Sequence, residues 1–312
     1  MKMYALDRRK ARLSLGQSPA EQVLEQLRNL VNENGPAPED YAPTAELFRQ
    51  AEKLKISSEQ IADVFRDTLV PECIHGFGHL KPHGYAGDFE IIERIYTYWE
   101  SPLDCLKNWD RFFHAQAAPK AVRNRKAFFK NLLCKLPENA NVLNIGSGPG
   151  RDLMEFLDEN PEQRINIVNM ELDPAAVRHS KQLCRHYLHK LEYAQANVFK
   201  YKTARKFDLI WSAGLFDYFS DKMFRVAMKR ITGWLAPGGR ILIGNFSESN
   251  NSQAYMELLG KWNLNHRSEA DLIRLGVESG LSREFLRVQK EPLGVNLFLE
   301  VCSTNFNRKT NC

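Results

Sequence analysis

The chain has 312 residues, 43% of them hydrophobic and 26% charged. That length and composition exclude a mostly disordered chain, a collagen and a disulfide miniprotein, and leave room for two domains or one large domain with an appendage. With 43 Lys and Arg against 38 Asp and Glu, the net charge of +5 favours anionic ligands only weakly and does not by itself indicate nucleic acid.

The N-terminal stretch holds Arg8, Arg9, Lys10 and Arg12, a solvated arm rather than a phosphate-binding tail, and lacks the apolar run of a secretory signal. Ser18-Pro19-Ala20-Glu21 is a capping box with proline at the first helical position. Behind it Val23, Leu24, Leu27, Leu30 and Val31 keep helical period until Asn34-Gly35-Pro36. A second helix is expected over Thr44–Lys53, and a third from Ser57-Ser58-Glu59-Gln60 through Ile61, Val64, Phe65 and Leu69. Cys73 to Gly87 reads as a Gly- and His-rich loop. Asp88 then caps a helix with the apolar stripe Ile91, Ile92, Ile95, Tyr96 and Trp99, and two more helices are expected over 103–116 and 119–135.

From Asn141 the texture changes. Apolar runs at Val142–Ile145, Ile165–Met170, Phe207–Trp211 and Arg240–Gly244 alternate with helical patterns, which predicts βαβ units and a mostly parallel, doubly wound α/β sheet. Leu293–Val301 reads as a last strand joined antiparallel. The expected organisation is an all-α N-terminal cap or lid over 1–118 and a nucleotide-binding domain over 119–312. No stretch of about 18 apolar residues suggests a membrane span. The six cysteines form no CxxC pair, which fits reduced thiols and a cytoplasmic setting.

The sharpest motif is Ile145-Gly146-Ser147-Gly148-Pro149-Gly150, following a strand and preceding an amphipathic helix. Glycines there let the backbone turn tightly and approach a ligand, and the helix N-terminus offers free N–H groups. Glu171, at the end of the second strand, is placed to accept both hydroxyls of a ribose, with Leu172 beside it. The order G-S-G-P-G is not the G-x-G-x-x-G of a dinucleotide site, and no second phosphate-binding loop follows.

The spacing resembles instead the first motif of class I S-adenosylmethionine (SAM) methyltransferases. Ala196-Asn197-Val198, Phe207–Ser212 and Leu235-Ala236-Pro237-Gly238-Gly239 resemble later motifs of that family, in order. The resemblance implies a class I methyltransferase fold, SAM as cofactor, and Gly146, Ser147, Gly148, Gly150, Glu171, Leu172, Asn197 and Val198 around it. A narrower set, Lys81–Asp88, Ala121–Arg125, Gly214–Tyr218 and Trp262–Arg267, is similar to bacterial enzymes related to fatty-acid methyl ester signal synthases, themselves related to enzymes that cyclise SAM into azetidine-2-carboxylic acid.

Under that resemblance Tyr85 and Asp88 belong to a lid, with Asp88 facing SAM's ammonium. The alternative for Asp88 is a plain helix cap. Arg123, rather than Arg125, is the candidate for a carboxylate. Ser212, Ala213 and Gly214 line the approach after the fourth strand, and Asp217 and Tyr218 join Tyr85 as catalytic candidates. Asn245, His266 and Arg267 are candidates for substrate contact. His75, His79 and His83 recur every four residues, but Gly76, Gly78 and Pro82 interrupt a helix there, so no metal site is expected.

Three functions stand. The first is methyl transfer from SAM to a small molecule, with a carboxylic acid such as a hydroxy fatty acid as acceptor. The second is SAM cyclisation releasing methylthioadenosine. The third is a non-catalytic nucleotide- or RNA-binding module, supported only by the basic arm and the net charge. Neither a membrane nor a nucleic acid is the expected partner, and the sequence is silent on oligomeric state.

Overall fold

The structure, a computed structural model, describes residues 17–302. The basic arm and Cys312 lie outside those residues. The described chain divides into two compact units that are not the linear halves 1–118 and 119–312. One comprises 17–86, 99–116 and 252–263; the other comprises 87–98, 117–251 and 264–302.

The first unit is helical. It contains α1 (Pro19–Asn32), α2 (Tyr41–Lys53), α3 (Ser58–Val64) and α4 (Ile74–Leu80). Ser18 with Glu21 and Ser57 with Gln60 form capping boxes, satisfying orphan N–H groups at the starts of α1 and α3. The stretch expected as a loop is therefore partly helical, and the reason is tertiary. Asp110 Oδ1 accepts from Ile74 N at 2.8 Å, and Gly76 lies so close to the backbone at Thr68 and Val70 that a Cβ there has no room. Glycine here permits close packing instead of breaking the helix. His75 bonds the Thr68 and Tyr255 hydroxyls, at 2.8 and 3.2 Å, and His79 bonds the Leu259 carbonyl, so both rings serve packing.

The second unit opens with α5 (Phe89–Tyr96), whose N-terminus Asp88 caps through bonds from Glu90 N and Ile91 N. In the helical unit α6 (Asp104–Ala115) follows, and the chain then returns to the second unit through α7 (Ala117–Leu133). The sheet strands and their helices come next: β1 (Ala140–Ile145), α8 (Arg151–Glu159), β2 (Ile165–Glu171), α9 (Pro174–Leu183), β3 (Leu191–Gln195), β4 (Phe207–Ser212), α10 (Asp221–Thr232) and β5 (Leu235–Phe246). After α11 (Gln253–Leu258), which belongs to the helical unit, come α12 (Glu269–Glu278), β6 (Leu286–Lys290) and β7 (Asn296–Cys302).

The strands form one seven-stranded sheet in the order β3-β2-β1-β4-β5-β7-β6. The first five are parallel and β7 runs antiparallel to both β5 and β6. This is the mostly parallel, doubly wound sheet that the alternation of apolar runs and helices predicts. β3 and β6 carry no strong sequence signal, because each is an edge strand with few buried positions. Central strands are buried on both faces and read as apolar runs.

One face of the sheet is closed by aromatic stacking. Phe129 of α7 lies parallel to Trp211 of β4 with ring centroids 4.7 Å apart, and Phe128 stacks on Phe298 of β7 at 4.3 Å. Phe129 is fully buried. Truncating it leaves an aromatic-sized cavity, so Phe129→Ala is expected to cost about 3–5 kcal/mol of unfolding free energy, read by urea denaturation. A cost below ~1 kcal/mol would show that α7 is not held by this stack.

Candidate active site

In a parallel sheet the carboxyl ends of the strands face the ligand, because loops and helix N-termini converge there. The turn after β1 is built for close approach. Gly146, Gly148 and Gly150 all adopt left-handed φ values, 65°, 58° and 78°, which non-glycine residues rarely do. A Cβ on Gly150 would also collide with the Ser180 hydroxyl. Gly150 thereby starts α8, and Ser147 Oγ is buried in the turn with no hydrogen-bond partner.

The turn is tied to β2. Glu171 Oε2 accepts from Gly148 N at 2.9 Å, while Oε1 accepts from Leu172 N at 2.7 Å and Asp173 N at 3.1 Å. Oε1 thus accepts two N–H groups and Oε2 one, so Oε2 keeps capacity for a ribose hydroxyl without breaking the tie. Met170 O accepts from both Gly146 N and Ser147 N, and the buried Ser212 hydroxyl donates to Ile145 O at 3.0 Å. The end of β1 is thus held from both neighbouring strands.

Asn197 and Val198 follow β3 at the same edge. Asn197 Oδ1 accepts from Phe199 N, and the carbonyl of buried Val198 accepts from Arg230 Nε at 3.1 Å. Leu172 is exposed. The residues Gly146–Gly150, Glu171, Asn197 and Val198 therefore lie along the carboxyl ends of β1, β2 and β3 as one line.

Beyond β4, Ala213 and Gly214 lead to a short turn that carries Asp217, which is buried, and Tyr218, which is partly exposed. Asp217 Oδ1 accepts from Phe246 N at 2.6 Å, and its carbonyl accepts from Asn265 N. Burial pushes its carboxyl up to about 6, against the opposing pull of the Phe246 N–H, Arg125 and Arg267. Burial likewise pushes Asp152, in the first turn of α8, up to about 6.

Asn245 and Arg267 meet each other. Arg267 Nη1 donates to Asn245 Oδ1 at 2.7 Å and to Phe216 O at 3.1 Å, Nη2 donates to Phe219 O at 2.5 Å, and Nε and Nη2 reach Asp221. Asn245 Nδ2 donates to the carbonyls of Phe246 and Asn265. These bonds join the ends of β4 and β5 to the 264–267 segment. His266 Nε2 lies 3.1 Å from Asn250 Nδ2.

Arg123 stacks its guanidinium 4.0 Å from the Tyr98 ring centre and reaches the Ile95 carbonyl, which joins α7 to α5. Asp88 caps α5 in the same unit, and Tyr85 belongs to the helical unit and is partly exposed. Sequence reasoning passed over Arg125. It is buried beside Ala213 and Gly214, and the signal available was its place on the α7 face that carries Phe128 and Phe129 toward the sheet. Among the described residues no group of His, Cys, Asp and Glu is arranged to hold a metal ion, and no helix is long and apolar enough to cross a membrane.

Residues 143–241, from β1 into β5, match a family model described as a methyltransferase domain. No curated protein matches the chain. Among solved structures, one described as a possible exported protein of Bordetella parapertussis is similar at a TM-score of 0.61 and 18% identity, over 91% of this chain and 95% of that one. The magnesium protoporphyrin IX methyltransferase of Synechocystis, solved with bound S-adenosylhomocysteine, is similar at 0.50 and 11% identity, over 74% of this chain and 98% of that one. At such identities the likeness is one of fold. Sheet topology and the match over residues 143–241 together give this chain the fold of class I methyltransferases.

Asp217 yields a pH prediction. Its folded value of about 6 lies above its ordinary value of 3.8, so the protonated acid is favoured by folding. Its contribution is fully present below the ordinary value and is lost as pH rises through the folded value. Asp217→Asn removes this ionisation. The stability of the variant relative to wild type should therefore rise between pH 4 and pH 7 by about 1–3 kcal/mol, at 1.4 kcal/mol per pKa unit, read by urea denaturation at both pH values. A difference that does not change with pH would contradict a buried ionisable Asp217.

Proposed function

We propose that the protein is a SAM-dependent methyltransferase acting on a small molecule with a carboxylate nucleophile, such as a hydroxy fatty acid. The observation that carries this reading is the three-glycine turn after β1, locked by Gly148 N to the Glu171 carboxylate at the end of β2. The residues fit the donor. The turn leaves the backbone open to approach, the partnerless Ser147 Oγ offers a polar contact, and Glu171 Oε2 retains acceptor capacity for a ribose hydroxyl. Asn197 and Val198 border the adenine in this reading.

When bound, SAM supplies a methyl group on a sulfonium that leaves readily. What remains for the chain is alignment and exclusion of water. Asp217 and Tyr218, after β4, flank the reacting centre, and the Asp217–Phe246 bond holds that turn in register with β5. A carboxylate acceptor is ionised at neutral pH and needs no general base, which suits an edge whose His266 is engaged with Asn250. The scatter of cysteines without a CxxC pair supports a reduced, cytoplasmic setting.

Two measurements test the reading. Glu171→Ala removes hydrogen bonds worth about 1 kcal/mol each, so calorimetric affinity for S-adenosylhomocysteine should fall about ten- to thirtyfold in a folded variant. Unchanged affinity would refute the ribose role. Incubation of the wild type with SAM, with and without octanoate or a 3-hydroxy acid, should yield S-adenosylhomocysteine only when acid is present. Methylthioadenosine released from SAM alone would overturn methyl transfer.

A further inference from the structure

A buried guanidinium must find partners for five N–H donors or bear the cost of leaving water without them. The sheet unit buries two arginines to a similar depth, Arg267 at 4% exposure and Arg125 at 5%. Arg267 places its donors on two carbonyls, one amide oxygen and one carboxylate. Arg125 does not. Its Nη1 reaches Ala213 O only at 3.5 Å, its Nε is buried without a hydrogen-bond partner, and it forms no ion pair among the described residues. It also hydrogen-bonds the Tyr96 hydroxyl, and its charge acts on Asp217. One protein thus solves the same problem fully at one position and leaves Nε unmet at the other.

The surroundings hold this fork closely. The guanidinium lies against Gly214 just past the carboxyl end of β4. A Cβ there would sit 2.8 Å from Nη1 and 3.0 Å from Nη2, so a side chain at this position would push the guanidinium aside. The preceding residue, Asn124, is braced: its Nδ2 donates to Glu291 Oε2 at 2.6 Å, and Glu291 also accepts from the N–H groups of Leu293, Val295 and Asn296. That brace fixes the rotation of α7 and so the direction of Arg125.

We propose that Arg125, backed by Gly214 and aimed by the Asn124–Glu291 brace, is a carboxylate-binding site at the carboxyl edge of β4. A planar carboxylate matches the fork through two parallel hydrogen bonds. A singly charged ligand is favoured over a phosphate, because the nearby Asp217 carboxylate repels a second negative charge. The identity of the ligand rests on the methyltransferase reading, under which two carboxylates are available, that of SAM's amino-acid end and that of the acceptor.

The test is a calorimetric comparison of the full-length wild type and Arg125→Gln with three probes. S-Adenosylhomocysteine carries the amino-acid carboxylate, methylthioadenosine lacks it, and octanoate is a bare monocarboxylate. If the site takes the donor's carboxylate, the variant should lose at least tenfold in S-adenosylhomocysteine affinity with methylthioadenosine unchanged. If it takes the acceptor's, both nucleosides should bind the variant as they bind wild type, while octanoate binding to the S-adenosylhomocysteine-saturated protein is lost. Wild-type affinity of the variant for all three would overturn the proposal. Should Arg125→Gln not fold, the assigned Nε–H resonance of Arg125 in ¹⁵N-arginine-labelled wild type gives the same answer. Movement with S-adenosylhomocysteine or octanoate but not with methylthioadenosine supports the site, and no movement with any probe overturns it. If the wild type binds neither nucleoside, the methyltransferase reading fails separately, and octanoate alone still reads Arg125.

Discussion

Charge buried at the carboxyl edge of the sheet is the constraint on which the rest of this structure depends. Arg125, Asp152, Asp217 and Arg267 are all withdrawn from water there. Removing a charge from water costs far more than an ordinary packing contact returns, so each must be met by aimed donors, acceptors or opposite charge. Asp152 is met by Leu153 N at the start of α8, where the helix also favours an acidic group. Asp217 takes the Phe246 N–H, and Arg267 takes the carbonyls of Phe216 and Phe219. These bonds determine where β4 and β5 end and how the turns beyond them lie. Of the four, Arg125 keeps a buried Nε with no hydrogen-bond partner, which is why it stands out as a place for a ligand.

The same economy governs the glycine turn. A side chain at Gly150 would collide with Ser180, and left-handed φ values at three alternating positions turn the chain from β1 into α8 within a few residues. The turn would be loose if it rested on conformational freedom alone. Glu171 removes that freedom by accepting from Gly148 N, so one carboxylate both closes the turn and marks the end of β2. A ligand that uses the remaining acceptors of Glu171 meets a preorganised edge, and binding then spends little on ordering the loop.

In the helical unit the governing interaction is again a buried carboxylate. Asp110 of α6 accepts from Ile74 N at the start of α4 and from Ser101 N before α6. Burial raises its carboxyl above the ordinary range against the lowering effect of those bonds. Around it Phe48, Phe65, Trp109 and Tyr255 pack edge to face, and α11 contributes Tyr255 from a distant part of the sequence. A non-contiguous segment thereby completes the core of that unit.

How much of this was legible beforehand follows from the range of the interactions involved. Capping boxes at Ser18 and Ser57, the alternation of apolar runs with helices, and the turn Gly146–Gly150 are local patterns, and local sequence determined most of the helices, the central strands and the glycine turn at the carboxyl edge of the sheet. Edge strands β3 and β6 escaped because exposed positions need not be apolar, and α4 escaped because its Gly76 is required by close contact with the backbone of Thr68 and Val70, which helical period does not reveal. The division into units is tertiary for the same reason: 87–98 carries a helical pattern like its neighbours, yet Arg151 pairs with Glu93 and Arg123 stacks on Tyr98. Of the two arginines flanking Asn124, sequence favoured Arg123. Only the folded chain, by engaging Arg123 with Tyr98 and burying Arg125 against Gly214 with a partnerless Nε, distinguished them, because burial and hydrogen-bond satisfaction are properties of the assembled core and not of spacing along the chain.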